Sequence, residues 1–235
     1  MVRDLLTGQI VRDTKVLSMA SSSTPLKAST PLKDRMAAQR AEILTVALSV
    51  FLREGYSRAS IADIVGEMGK AKSWLYTYYP SKESLFLDIV RFMTEKAANA
   101  YGPAPEQTAS LEDALRTVGL RYLDIVLGQT NIRFNRMTVS EAEHLPQIKE
   151  IVHHQMRATV LAPLAWHLQK AVEKSGTTFT DYFAAGEFFY DLCVLSLHRR
   201  ALMGIQQQFT AEEKLTNVER AIKVFLDLVE PERSR

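Results

Sequence analysis

Between Lys72 and Tyr78 the chain gathers Lys72, Ser73, Trp74, Tyr76, Thr77 and Tyr78, with no acid among them. A cation, hydroxyl donors and three aromatic rings have little use for acid–base or nucleophilic chemistry. They suit a polyanion: donors meet phosphate oxygens and base edges, and no carboxylate repels them. Read from the pattern alone, the same set also fits the polar face of an ordinary helical hairpin. Motifs that would carry catalysis are missing from the sequence, which has no G-x-S-x-G, no Walker glycine run and no H-E-x-x-H. No catalytic residue, metal or cofactor is therefore expected. The five histidines, His144, His153, His154, His167 and His198, do not follow zinc-ligand spacing. The one cysteine, Cys193, excludes a disulfide framework and any cysteine-based zinc site, and reads as a buried, inert thiol.

To present that face, the segment needs a scaffold. Ile61, Ile64, Val65 and Met68 recur at helical spacing, and Ser60 and Asp63 form a capping-box pattern in front of them. Gly69 ends this helix after two turns, because glycine accepts the positive φ of a tight turn. A short segment from about Ala71 to Tyr79 follows, with Leu75 and Tyr79 directed inward. Two short helices joined at a glycine predict a helix-turn-helix. Before them, Ile43, Ala47 and Phe51 mark a helix stopped by Gly55. After them, Ser81 is a natural N-cap for a helix carrying Leu85, Ile89 and Phe92.

The rest of the chain reads as helix too. Leu111, Leu115, Val118, Tyr122 and Ile125 form one stripe. A helix near Asn131 to Glu143 ends before Pro146, and the next, from about Gln147, is expected to break or kink near Pro163. Phe183 to Leu202 is apolar nearly all round, so it should be central. Thr210 and Glu213 cap a last helix with a seam at Leu215, Val218, Ile222, Phe225 and Val229. With no alternating β-branched run, the fold is all-α, with about nine or ten helices.

The chain has 235 residues, 29 basic and 27 acidic, for a net charge of +2. Residues 1–100 hold 14 Lys and Arg against 10 acids, and the remainder 15 against 17, so the positive excess lies in the first part. Residues 1–36 read as a flexible basic tail containing a repeated Ser-Thr-Pro-Leu-Lys. Neither a signal peptide nor an apolar run of membrane-spanning length is present, so a soluble cytoplasmic protein is expected.

Residues Arg40 to Val90 resemble the DNA-binding domain of the TetR family of bacterial transcriptional regulators. Ile43-Leu44, Ala47, Phe51 and Glu54-Gly55-Tyr56 resemble its first helix and stop; Ala59-Ser60-Ile61 and Asp63-Ile64 resemble the start of its second. Gly69, Lys72, Leu75-Tyr76, Tyr79-Pro80-Ser81-Lys82-Glu83 and Leu85-Phe86 resemble the turn, the recognition helix and the start of the fourth helix. Departures include Lys70 at a usually apolar position and Ala71 where a hydroxyl N-cap is usual. Losing that cap should cost on the order of 1 kcal/mol and alter the tilt of the recognition helix.

The resemblance implies DNA-contacting positions at Ser60, Ile61, Lys72, Ser73, Trp74, Tyr76, Thr77, Tyr78 and Lys82. Ser60 would meet a phosphate, Lys72 a phosphate or guanine edge, and Tyr76 and Lys82 would pin the backbone on either side of the groove. The implied organisation is a helix-turn-helix domain at 37–97, a helical effector-binding and dimerisation domain at 98–230, and a short tail at 231–235. The implied function is that of a homodimeric repressor, released from a double-stranded operator by a small apolar ligand. Phe134, Met137, Trp166, His167 and Phe189 are the candidate ligand contacts. A helical DNA-binding protein without an effector, and an all-α carrier or enzyme, are the competing readings.

Overall fold

The computed structural model describes residues 32–101, 110–172 and 181–229. Among these residues every regular element is helical. The chain runs α1 (Leu32–Glu54), α2 (Ile61–Met68), α3 (Lys72–Tyr76), α4 (Lys82–Tyr101), α5 (Leu111–Val126), α6 (Gln129–Glu141) and α7 (Gln147–Met156). A π-helical turn at Arg157–Leu161 leads directly into α8 (Ala162–Val172), followed by α9 (Tyr182–Leu202) and α10 (Ala211–Val229).

Local chemistry sets most boundaries. Gly55, at φ 84°, ends α1. Helix α1 begins earlier than expected, at Leu32 inside the segment read as tail, because Met36, Ala37, Ala38 and Gln39 are good helix formers. Residues 34–38 are exposed along it. Residues 1–31 and 230–235, which hold most of the expected tails, lie outside the described residues. Ser110 caps α5 by accepting from the Asp113 N–H, and Asp181 caps α9 by accepting from Phe183 and Ala184. At α10 the expected capping box is formed: Thr210 N–H donates to Glu213, and Glu213 N–H donates to the Thr210 hydroxyl.

The interruption expected near Pro163 takes the form of a widened turn rather than a break in the helix. The helix widens into the π turn one turn ahead of the proline, and the Ala162 N–H reaches back five residues to the Arg157 carbonyl. Widening relieves the clash that a proline ring makes with the carbonyl four residues earlier, here that of Thr159.

Two apolar clusters organise Gln39–Arg235. One joins α1 to α4 through Ile43, Phe51, Ile64, Leu75, Phe86 and Ile89, and it also contains Phe134 of α6 and Ile148 of α7. Phe51, Tyr56 and Phe86 meet in it at centroid separations of 4.5–5.8 Å. The other joins α5, α8, α9 and α10 around Leu123, Leu168, Phe189 and Phe225. Helix α4 belongs to both halves of the molecule: Leu85, Phe86 and Ile89 sit in the first cluster, and farther along Ala97 packs on the second.

The expected seam of α10 faces mainly inward. Val218, Ile222 and Phe225 are buried within the chain, while Leu215, Val224 and Leu228 remain exposed. Helix α9, expected to be central because it is apolar nearly all round, buries one face only: Phe188 and Leu195 are 42% and 58% exposed. The outward apolar surface of this pair of helices therefore consists of residues other than most of the seam.

Candidate nucleic-acid interface

Helices α2 and α3 form a compact two-helix unit whose geometry follows from its caps. Ser60 accepts from the Asp63 N–H, and Asp63 accepts from the Ser60 N–H at 2.8 Å. The Ser60 hydroxyl donates to the same carboxylate at 2.7 Å. Hydrogen bonding from Ser60 holds the Asp63 carboxyl below the usual carboxylate range. At the other end Gly69 is left-handed, φ 62°, and the Gly69 and Lys70 N–H groups bond back to the Gly66 and Val65 carbonyls. This is a Schellman stop, which only a residue tolerant of positive φ completes without strain.

Helix α3 is a helical core of five residues, shorter than the sequence suggests. Ala71 offers no side-chain cap, and both ends relax into tighter turns: Trp74 N–H bonds to Ala71, and Thr77 N–H to Trp74. Leu75 and Tyr79 hold the helix down, at 0% and 8% exposure. The Tyr79 hydroxyl donates to Asp88 Oδ2 at 2.6 Å, and Arg40 donates to both oxygens of Asp88 at 2.9 and 2.6 Å. Burial alone would raise the Asp88 carboxyl, but the bonds from Arg40 and Tyr79 outweigh it and leave the group below its ordinary value. Burial, then the bond to Asp88, pushes the Tyr79 phenol above its usual range. One carboxylate on α4 thus fixes both α1 and the end of α3.

The expected contact residues divide by where their side chains go. Lys72, Ser73, Tyr76 and Thr77 are exposed together on the outer face of α3, Tyr76 by 49%. The Thr77 hydroxyl returns to the Trp74 carbonyl at 2.7 Å. Trp74 is half-buried, with the Lys70 ammonium 5.6 Å from its ring and the Tyr78 ring tilted against it at 5.1 Å. Tyr78 donates its hydroxyl to Gln39 Oε1 at 2.9 Å, which ties the stack to α1. Ile61 is 8% exposed and packs in the core.

Lys82 also turns inward. Its Nζ donates to the carbonyls of Tyr56, Ala59 and Ser57 at 3.0, 3.2 and 3.4 Å, and lies 4.6 Å over the Tyr56 ring. An ammonium has three donors, and this one spends them on the connection between α1 and α2. The expected contact of Lys82 with the DNA backbone would require it to leave these carbonyls, whose convergence no local sequence pattern encodes.

Of the candidate ligand contacts, Phe134 lines a cavity. That cavity, about 140 Å³, lies between α4, α5, α6, α7, the π turn and α9. Met93, Phe134, Met156 and Tyr190 give it apolar and aromatic walls, and Asn131, Asn135 and Gln155 give it amides. Among the described residues no charged side chain lines it. Asn135 Nδ2 also lies 3.2 Å from His198 Nε2, and burial pushes that imidazole down from its ordinary value. Met137 lies instead on an outer groove beside the α1–α2 connection. Trp166 is 52% exposed on α8, and Phe189 is fully buried against Phe225 at 5.3 Å. These three do not converge, because their helix faces turn toward other neighbours than the sequence pattern could reveal. The side chain of His167 lies outside the described residues. Cys193 is fully buried, and burial pushes its thiol up to about 12. No group of three or more metal-ligating side chains occurs among the described residues, and no described helix is long and apolar enough to cross a membrane.

Comparisons with known proteins bear on the same two regions. Residues 43–89 match the model for bacterial regulatory proteins of the tetR family, and residues 113–228 match the C-terminal domain of AefR-like transcriptional repressors. Two Bacillus subtilis proteins described as uncharacterized HTH-type transcriptional regulators are similar. YuxN is 35% identical over 54 residues, 23% of this chain, and YezE is 25% identical over 112 residues, 48% of this chain. The matched region spans 19% of YuxN and 58% of YezE, less than two thirds of either relative. Among solved structures, a TetR-family regulator from Mesorhizobium loti superposes with a TM-score of 0.73 at 19% identity, covering 83% of this chain and 98% of that one. The flavonoid-responsive regulator FrrA superposes with a TM-score of 0.70 at 26% identity, covering 83% and 99%.

Proposed function

We propose, from the premise that this chain belongs to the TetR family of bacterial transcriptional regulators, that it acts as a homodimeric repressor which a small uncharged ligand releases from its operator. Family members are DNA-binding regulators rather than enzymes. The observation that carries the reading is the outer face of α3: Lys72, Ser73, Tyr76 and Thr77 stand exposed on a helix pinned from below by Leu75 and Tyr79. Such a face meets base edges and phosphates in a major groove. In this reading Ser60 keeps a place at the N-terminus of α2, where a phosphate is favoured. Trp74 and Tyr78 shape the rim, and Ile61 and Lys82 act by positioning.

A dimer is favoured because one helix-turn-helix covers one half-site, and because Phe188, Leu195, Val224 and Leu228 leave an apolar surface on α9 and α10. Residues 37–97 would read DNA, and 98–230 would bind ligand and dimerise, in the cytoplasm where bacterial DNA lies. Repression rather than activation is favoured by the match to a repressor-type C-terminal domain. Ligand control is favoured by the cavity against α4 and by the likeness to a flavonoid-responsive regulator. A space of about 140 Å³ with amides and no charge suits a neutral molecule of about one aromatic ring with hydrogen-bonding substituents, since a cavity of roughly 150 Å³ holds benzene.

Selection of the purified chain against random duplexes tests the central reading. A near-palindromic consensus is the expected outcome, and uniform recovery of all sequences would refute sequence-specific regulation.

A further inference from the structure

A second concavity lies apart from the cavity. It is an open groove of about 480 Å³ between the end of α1, its connection to α2, and the outer side of α6. Glu141, the last residue of α6, lines it. The residue is only 9% exposed, and its carboxylate makes no hydrogen bond or ion pair among the described residues. Its oxygens open onto the groove, where an incoming donor can reach them. Nothing in the fold of α6 requires it, since the helix end bonds through its backbone.

Three guanidiniums share the groove. Arg58 Nε donates to the Glu54 carbonyl, Arg133 Nη2 to the Leu52 carbonyl, and Arg136 Nε and Nη2 to the Leu202 and Ala201 carbonyls. These bonds hold the heads in place against helix ends and use one, one and two of the five donors each guanidinium carries. Glu54, also on the rim, is already paired with Arg53 at 2.8 Å. A simple cation drawn to Glu141 would meet three positive heads, and a simple anion drawn to the arginines would meet Glu141. A molecule bearing both charges satisfies both sides.

We propose that this groove binds a small zwitterion carrying an ammonium and a carboxylate, as free amino acids do. Its ammonium pairs with Glu141, and its carboxylate takes the remaining donors of Arg58 and Arg133. Tyr56 and Met137 line the same groove and supply apolar contact for a side chain. A ligand so placed bridges α6 to residues 55–58, immediately ahead of the Ser60 cap, and so clamps the entry to α2.

The test is thermal unfolding of the full chain with each of the twenty free L-amino acids, alongside the amines and carboxylic acids that lack one of the two charges. At several times its Kd, at least one amino acid should raise the midpoint by about 2–4 °C or more, and its single-charge analogues should not. E141Q should abolish the shift while leaving the unliganded midpoint nearly unchanged, because the Glu141 carboxylate makes no hydrogen bond or ion pair among the described residues. S140W, which fills the groove from an exposed position, should abolish it too. No shift with any amino acid, an equal shift with the amine alone, or a shift that survives both variants would overturn the proposal.

Discussion

Lys82 Nζ lies 3.0 Å from the carbonyl oxygen of Tyr56 and 4.6 Å above that residue's ring, so the first residue of α4 holds the connection that leads into α2. A charged donor is thereby built into the support of the reading unit. Its loss should be felt as a change of position more than as a lost phosphate contact.

Lys82→Ala is expected to destabilise the chain by about 1–2 kcal/mol, the scale of hydrogen bonds to a charged group that is partly exposed. DNA affinity should fall as well, but the slope of log affinity against log salt should change by clearly less than one unit. Lys72→Ala should show the opposite pattern, with unchanged unfolding and a slope shallower by about one unit. Denaturant unfolding together with a salt titration of operator binding separates the two. Equal slopes for Lys82→Ala and Lys72→Ala would place Lys82 on phosphate after all.

The contrast shows what local sequence can and cannot carry. The Ser60–Asp63 box and the Gly69 stop were legible because each is settled within a few residues by backbone geometry. The missing cap at Ala71 was legible for the same reason, and α3 is short in consequence. Lys82 meets carbonyls 23–26 residues away in the chain, and no local pattern encodes that convergence. The cavity was half legible. Phe134 lies on it, but Met137, three residues on, turns to the groove, and the amides of Asn131 and Asn135 carried no periodic signal. Which face of α6 meets which helix depends on packing between distant segments. The α10 seam shows the same limit, since a clean apolar stripe does not say whether it packs within the chain or between chains.

Asp88 should make stability depend on pH in acid. Its carboxyl is held below its ordinary value in the folded chain, so its contribution is fully present above the unfolded value of about 3.9 and is lost as pH falls through the lower folded value. Asp88→Asn should cost about 1–3 kcal/mol at pH 6, because Arg40 and Tyr79 lose a charged acceptor. The gap between wild type and variant should close as pH drops below about 4. A gap that stays constant from pH 6 to pH 2 would show that Asp88 is not ionised in the folded chain.

On the outer face of α3, Tyr76→Phe removes an exposed hydroxyl that bonds no partner among the described residues and should leave stability within about 0.5 kcal/mol of wild type. If the hydroxyl meets the DNA backbone, affinity should fall by a similar factor for every duplex. Thr77→Val should instead change which base is preferred at one position of each half-site, by about 1–3 kcal/mol if that hydroxyl reads a base edge. Binding profiles on a mutated operator series distinguish the two. Identical profiles for both variants would remove Thr77 from the base-reading set.

The outward apolar face of α9 and α10 gives the assembly prediction. Leu195 and Leu228 are 58% and 68% exposed, and neither belongs to the buried core. Leu195→Glu should therefore leave the helical content and unfolding of the isolated chain nearly unchanged, because no core contact is removed. If the face is the two-fold interface, two glutamates, one from each protomer, are buried in the dimer with no partner, and association should weaken by several kcal/mol. Sedimentation at micromolar concentration should then turn a dimer into a monomer, and operator affinity should collapse toward the non-specific level because one half-site cannot hold the protein alone. A variant that stays dimeric and binds its operator normally would move the interface elsewhere on the molecule.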